Sequence, residues 1–470
     1  MTEPEAAGRA EQTYVEERCL VEFRSWRAEI VAKSGFAWRA IPFSASREWS
    51  FVDGILRHRT GGFFALAGLA VRARTRDLDG QQQLAILQPE TAINGFLLRR
   101  RHGRTEMLFQ GRVEPGNIES MQLAPTVQST EANYKRLHGG GSTAFLEWFT
   151  GERAGRFVYD ELQSEEATRY YGKYNRNVVV DVGEAGELEL PAVFRWYDLD
   201  AIRAFATASN VLNTDARSVL AGLDWNLLAD DGGPFAHHAT GTFGAQLRAS
   251  MGAPAAVDDL SDAEVLAWLQ RLRVRASVRH SVLPLSALRN WVVEPDVIRE
   301  REREHGFCAR QFAIHAEGRE VASWDQPLID SDGVGRLVLA MQERGGVLRV
   351  LVKASHEIGF LEGVQYSGSV TVAPGASPQA GDLVEAALLE LLADGGRSLV
   401  LASCRQSEEG GRFHRDENDY QIVVLDPAAR VPESPLYIWL TLAQVRRLIP
   451  VPGTFSMEFR GVLALLLAHL

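Results

Sequence analysis

Apolar positions fall into two repeating rhythms along this chain. Leu20, Phe23, Trp26 and Ile30 share one helical face with charges between them, which predicts an amphipathic helix from about Glu16. Leu266, Leu269 and Leu272 repeat that spacing beside Trp268, after the cap-like pair Ser261-Asp262. Each of these helices is expected to pack on its own half of the chain. Gly62–Ala73 and Gly306–Ala316 read as strands. Ile93–Leu98 and Val334–Leu339 also read as strands, entered through Gln88-Pro89 and Gln326-Pro327. The turns His102-Gly103 and Gly345-Gly346 lead to the hairpin partners Thr105–Phe109 and Val347–Lys353. Val178–Val180 and Ile422–Val424 read as buried strands. Helices are expected at Ala144–Phe149 and Ala386–Leu392, then one led by Trp196 or Trp439 and one around Arg217 or Arg460. The run Arg99-Arg100-Arg101 reads as a solvated turn.

The paired features have one cause. Shifting the sequence by 243 positions places Glu114 on Glu357, Gly116 on Gly359, Gln122 on Gln365 and Glu147 on Glu390. Gln163-Ser164-Glu165-Glu166 then falls on Gln406-Ser407-Glu408-Glu409, Arg169 on Arg412, Asn175 on Asn418, and Arg217 on Arg460. The register holds without a gap from Glu114 to Leu220, with at least eighteen identities, where composition alone gives about six. This is an internal duplication. Strands mixed with helices on this scale argue an α/β (α+β) unit used twice. The expected boundaries are a disordered lead-in at 1–12, repeat 1 at 13–228, a Gly-, Ala-, Pro- and Asp-rich linker at 229–258, and repeat 2 at 259–470.

Composition narrows the function classes. A net charge of −11 argues against a broad nucleic-acid footprint. Cys19, Cys308 and Cys404 form no paired motif, so neither a disulfide framework nor a thiolate metal site is expected, and a reducing cytoplasm is. The polar amino terminus is unlike a signal peptide, and the apolar tail Val462–Leu470 is too short for the roughly 20 residues of a membrane span.

Candidate chemistry gathers in Glu114–Gly141, rich in carboxylates, amides, hydroxyls and cations and broken by Pro115-Gly116, Pro125 and a triple glycine. Gln122, Thr126 and Gln128 alternate along an extended run, which would put them on one face of a pocket. Trp49, matched by Trp291, is either a stacking platform or a core residue. Gln163 belongs to a motif present in both copies, which points to shared folding at least as much as to shared chemistry. The second copy has Gly368-Ser369-Val370-Thr371 in place of Pro125-Thr126-Val127-Gln128 and nothing like Asn133–Gly140. Repeat 1 is therefore expected to carry the chemistry.

The stretches EPGN, MQLAPTVQST, NYKRLHGG and LQSEE resemble the NDP-hexose 2,3-dehydratases of deoxysugar biosynthesis, over most of both repeats. That resemblance implies two tandem Nudix-type modules in a homodimer, acting on a dTDP-4-keto-6-deoxyhexose without a cofactor or metal. Its product would be a 3,4-diketo sugar for a 3-ketoreductase. Such an elimination needs a base for the C3 proton, a donor for the enolate oxygen and an acid for the C2 hydroxyl. Glu114 or His138 is the candidate base, and Tyr134 or Lys135 the candidate donor; bracing a turn or capping a loop is the other role open to Glu114 and His138. Trp49, Asn117, Gln122, Thr126, Gln128, Asn133 and Gln163 are candidates to bind substrate, and Arg136 and Arg176 to meet the diphosphate. The second copy departs from the PTVQ-like run that the family keeps there. Two other readings stand beside this one. A Nudix-type pyrophosphohydrolase would need a complete paired-glutamate box, of which only Arg319-Glu320-Val321 is present as a fragment. A non-catalytic nucleotide-sugar-binding scaffold would bind without turnover.

Overall fold

The computed structural model describes residues 3–136, 139, 141–183, 188–228, 243–253, 259–302, 306–317, 321–374 and 381–470. The first half holds α1 (Glu3–Ser34), β1 (Ala37–Ile41), β2 (Trp49–Val52), β3 (Ile55–His58), β4 (Ala65–Arg72), β5 (Gln82–Leu87) and β6 (Ile93–Arg101). It continues through β7 (Arg104–Val113), β8 (Met121–Ala124), β9 (Val127–Ser129), α2 (Glu131–Tyr134), β10 (Arg156–Ser164) and β11 (Tyr174–Asp181). It closes with β12 (Phe194–Asp198), α3 (Leu199–Thr207) and α4 (Thr214–Gly222).

After α5 (Phe243–Gly252) the second half repeats the order. It runs α6 (Asp262–Ala276), β13 (Arg279–Leu283), β14 (Trp291–Val293), β15 (Ile298–Glu300), β16 (Phe307–His315) and β17 (Ser323–Ser331). Then come β18 (Val334–Arg344), β19 (Val347–Ser355), β20 (Gln365–Ser367), β21 (Val370–Val372) and α7 (Leu383–Asp394). It ends with β22 (Ser398–Ser407), β23 (Glu417–Leu425), β24 (Tyr437–Thr441), α8 (Leu442–Leu448) and α9 (Met457–Leu463).

Each half is built on a seven-stranded mixed sheet, ordered β10-β11-β6-β7-β12 in the first and β20-β19-β18-β23-β22 in the second. Short strands β8 and β9 flank β7 and β6, and β21 and β24 flank β18 and β19. The small sheets are shared. β1 pairs with β16 of the other half, from Ala37 opposite His315 to Ile41 opposite Gln311. β13 in turn pairs with β4, from Arg279 opposite Arg72 to Leu283 opposite Gly68. Each half thus lends its first strand to the other, and one apolar cluster joins α1, α3, α4, α6, α8 and α9 across both.

Buried polar residues hold the halves together in mirrored pairs. Arg217 donates to the carbonyls of Leu212 (2.6 Å) and Ser407 (2.8 Å). Arg460 donates to those of Phe455 (2.6 Å) and Ser164. Gln122 donates to Ser407 Oγ at 2.6 Å, while Gln365 accepts from Ser164 Oγ at 2.8 Å. The turns at Gly116 and Gly359 press on the opposite half. A Cβ on Gly116 would stand 1.6 Å from the Phe413 carbonyl oxygen, and one on Gly359 1.8 Å from that of Tyr170. Both neighbours are backbone and cannot step aside. Gly116→Ala and Gly359→Ala are each expected to cost about 1–3 kcal/mol or more, read as a lower urea midpoint, with the two losses similar.

Several local expectations change. The backbone is helical from Glu3, where a disordered lead-in was expected; Ala, Glu and Gln there favour helix. α1 packs on α3 of its own half, and Trp26 Nε1 donates to the Ala192 carbonyl at 3.1 Å. α6 starts with a capping box between Ser261 and Glu264. Of the expected linker, 229–242 and 254–258 lie outside the described residues; between them α5 packs on β19, its Ser250 Oγ accepting from Leu348 N at 2.9 Å. The helix expected at Ala144–Phe149 is only a 3-10 turn at Leu146–Trp148, while its counterpart is the full α7. Trp196 and Trp439 lie in strands, because β12 and β24 complete the sheets beside β7 and β19 before the helices begin. Arg99 is buried in β6, paired with Glu106 at 2.6 Å and stacked over Trp196 at 4.1 Å. Gln326 mirrors Gln83 rather than Gln88: the two donate to the carbonyls of Gly411 and Thr168, each at 2.6 Å.

Candidate active site

A cavity of about 320 Å³ lies in the first half and is closed by the second. Its floor is polar. Asn94 on β6, Arg112 on β7, Gln128 on β9, Asn175 on β11 and Asp215 in the first turn of α4 all line it. Its wall is aromatic, with Trp49, His58, Phe63 and Phe64 from the first half and Trp324 from β17 of the second. The second half also supplies Asp325, Gln326, Glu409, Gly411 and Arg412.

Hydrogen bonds fix these groups. Asn94 Nδ2 donates to Asp215 Oδ1 at 2.6 Å, and Asn213 Nδ2 to Gln128 Oε1 at 2.8 Å. Arg112 Nε donates to Glu114 Oε1 at 2.6 Å. Lys173 Nζ donates to the Glu90 carbonyl. Trp49 Nε1 donates to the Asp325 carbonyl at 2.8 Å. Arg412 lies over the Phe64 ring at 4.3 Å. Glu48 meets both His58 Nε2 at 3.3 Å and Arg59 Nε at 2.7 Å.

Burial sets the proton affinities. It holds the Asp215 carboxyl well above the usual carboxylate range, reinforced by the negative charges of Glu165, Glu409 and Glu114. It pulls the Lys173 ammonium down to about 8, against the opposing pull of Glu165 and Glu90. It also lowers His58 and pushes the Tyr170 phenol well up. The cavity therefore holds a carboxyl that grips its proton more tightly than usual, a second carboxyl group on an arginine, and an amine lowered to about 8. Those groups can remove one proton and deliver another at neighbouring atoms of one ligand.

Of the residues singled out from sequence, Glu114, Trp49, Gln128 and Asn133 line this cavity. The others do not. Tyr134 packs into the apolar cluster under α2, and Lys135 is exposed and paired with Glu131. Arg136 is exposed at the end of that helix. His138 lies outside the described residues. Asn117 is buried in its turn, donating to the Arg112 carbonyl at 3.1 Å. Gln122 and Gln163 bind the opposite half; Gln163 Nε2 donates to the Ile449 carbonyl at 2.9 Å. Thr126 falls between β8 and β9 and turns to the backbone of Leu108 and Leu97, so the expected alternation breaks there. Arg176 holds Asp160 through two bonds of 2.6 and 2.7 Å.

Arg112, Lys173, Asp215, Glu409 and Arg412 were not singled out as site residues from sequence. A signal existed for some of them, since they are places where the copies differ. The 243-residue register sets Leu337 opposite Asn94, Ser355 opposite Arg112, Thr371 opposite Gln128, Asp416 opposite Lys173 and Glu458 opposite Asp215. Among the described residues no helix is long and apolar enough to cross a membrane.

A family model described as NDP-hexose 2,3-dehydratase matches the chain twice, over residues 20–223 and 262–466. Three curated relatives, each named dTDP-4-dehydro-6-deoxy-alpha-D-glucopyranose 2,3-dehydratase, align over 94% of the chain. The protein from Saccharopolyspora spinosa is 31% identical, with 90% of its length covered. The one from Streptomyces violaceoruber is 32% identical, with 96% covered. The one from Amycolatopsis orientalis is 31% identical, with 89% covered.

Proposed function

The chain belongs to the NDP-hexose 2,3-dehydratase family, and on that premise we propose that the first-half cavity removes water across C2 and C3 of a dTDP-4-keto-6-deoxyhexose. The observation that carries this reading is the meeting of Glu114, Asp215 and Lys173 in one cavity. Glu114, one of the two bases expected from sequence, takes the C3 proton. Lys173 donates to the C4 oxygen as negative charge develops there. Asp215 gives its proton to the departing C2 hydroxyl, and water leaves. Trp49 and Trp324 flank the nucleotide, and Arg59 and Arg412 face the diphosphate with forked donors. The second half closes the cavity and supplies part of its lining rather than a separate active site. The finer expectations from family resemblance belong to the same proposal: Nudix-like topology in each half, a homodimer, a cytoplasmic setting, no cofactor, and a 3-ketoreductase that consumes the diketo product.

The direct test supplies dTDP-4-keto-6-deoxyglucose, a 3-ketoreductase and its nicotinamide nucleotide. A 2,6-dideoxy product supports the proposal; nucleotide binding with no turnover overturns it. A pH profile tests Lys173. Its ammonium persists below about 8 and is lost above, so kcat is expected to fall as pH rises through about 8. Lys173→Arg should move that limb to higher pH, and an unmoved limb would remove Lys173 from the donor role.

A further inference from the structure

Tyr170 and Glu409 line the same cavity from opposite halves, and the Tyr170 hydroxyl donates to Glu409 Oε2 at 2.7 Å. The pair has no mirror image. At the positions 243 residues away stand Phe413, which lacks the hydroxyl, and Glu166, which accepts from Thr168 instead. The two rings sit 6.0 Å apart where the halves meet. Their surroundings are alike, yet the hydroxyl is present only on the side of the cavity.

The dehydration reading leaves a step without an agent, and the present inference rests on that reading. Loss of water leaves an enol, with a C2=C3 double bond and a hydroxyl on C3. Glu114 then holds the former C3 proton, and Asp215 is a carboxylate. Forming the ketone requires the C3 hydroxyl to lose its proton and C2 to gain one. We propose that Tyr170 and Glu409 form the proton relay for this second half-reaction. The C3 hydroxyl passes its proton to the phenol oxygen as the phenol passes its own to Glu409. The C3–O bond becomes a carbonyl, and the C2=C3 electron pair takes a proton from Glu114, which first exchanges the one it took from C3 with the released water. The proton on Glu409 returns through solvent to Asp215, and all groups regain their starting states. Burial, which lifts the Asp215 carboxyl, favours that return.

The test uses the full chain and dTDP-4-keto-6-deoxyglucose labelled with deuterium at C3. Tyr170→Phe reproduces the residue already accommodated at 413, so folding is expected to survive. In the variant, C3 deuterium should still be lost while diketone formation falls at least tenfold. In a second arm, unlabelled substrate turns over in D2O with in situ reduction. Wild type should place deuterium at one of the two C2 positions, and the variant at both, because the released enol ketonises in solvent. Glu409→Gln keeps an acceptor but cannot take the proton, and should behave alike. Wild-type diketone formation with single-site labelling in either variant overturns the relay, as does equal slowing of deuterium loss. If the substrate's deuterium stays on C3 with the wild-type enzyme, the dehydration reading fails instead.

Discussion

Asp215→Asn is expected to lower kcat by about 10²- to 10⁴-fold, the usual weight of a general acid, while dTDP binding changes little. The substitution is nearly isosteric. Asn94 Nδ2 donates to Asp215 Oδ1, and an asparagine oxygen can accept the same bond. What is lost is the carboxyl proton, which burial and three neighbouring acidic groups make Asp215 hold more tightly than usual. Without it the C2 hydroxyl must leave as hydroxide. Glu114→Gln should cost a comparable factor by removing the base, and the double variant little more than either alone, because the two act on one elimination. Steady-state kinetics beside calorimetric dTDP titration separate the steps. A variant with wild-type kcat would dismiss Asp215 as the acid. One that no longer binds dTDP would make it a binding residue instead.

The duplication was legible because interface residues resist change in both copies. Gln122 with Gln365, Ser164 with Ser407 and Arg217 with Arg460 make matched bonds across the halves. Self-comparison therefore found what holds the halves together; Gln163 entered the candidate site with such a shared motif, and Gln122 through the apparent alternation of its run. The cavity escaped because its groups come from separate stretches and differ between copies. Lys173 and Asp215 sit among apolar or ordinary surface-like neighbours in sequence, and only the folded chain brings them to Glu114. The polar segment at 131–136 misled for the opposite reason: α2 turns the half-buried Tyr134 against an apolar cluster and Lys135 to solvent. The strand exchange was equally hidden. Alternation tells that β1 and β13 are extended, but register with β16 and β4 is set by which sheet edge each can reach.

Arg217→Leu and Arg460→Leu are expected to destabilise the protein by similar amounts, although only one half holds the cavity. Both guanidiniums are fully buried. Arg460 serves the carbonyls of Phe455 and Ser164 and the Ser218 hydroxyl at 2.8 Å. Arg217 serves Leu212, Ser407 and Gln406 Oε1 at 3.2 Å. Leucine leaves those acceptors buried without a donor, and each such loss costs roughly 1–3 kcal/mol. A total on the order of 3 kcal/mol or more follows for either variant. Since each arginine binds backbone of both halves, and each half completes the other's small sheet, neither half should melt alone. Urea unfolding followed by tryptophan fluorescence and by circular dichroism should show one shared transition, displaced to lower urea in both variants. Two separated transitions, or a shift confined to one variant, would mean that the halves are independent and that the mirrored arginines do not join them.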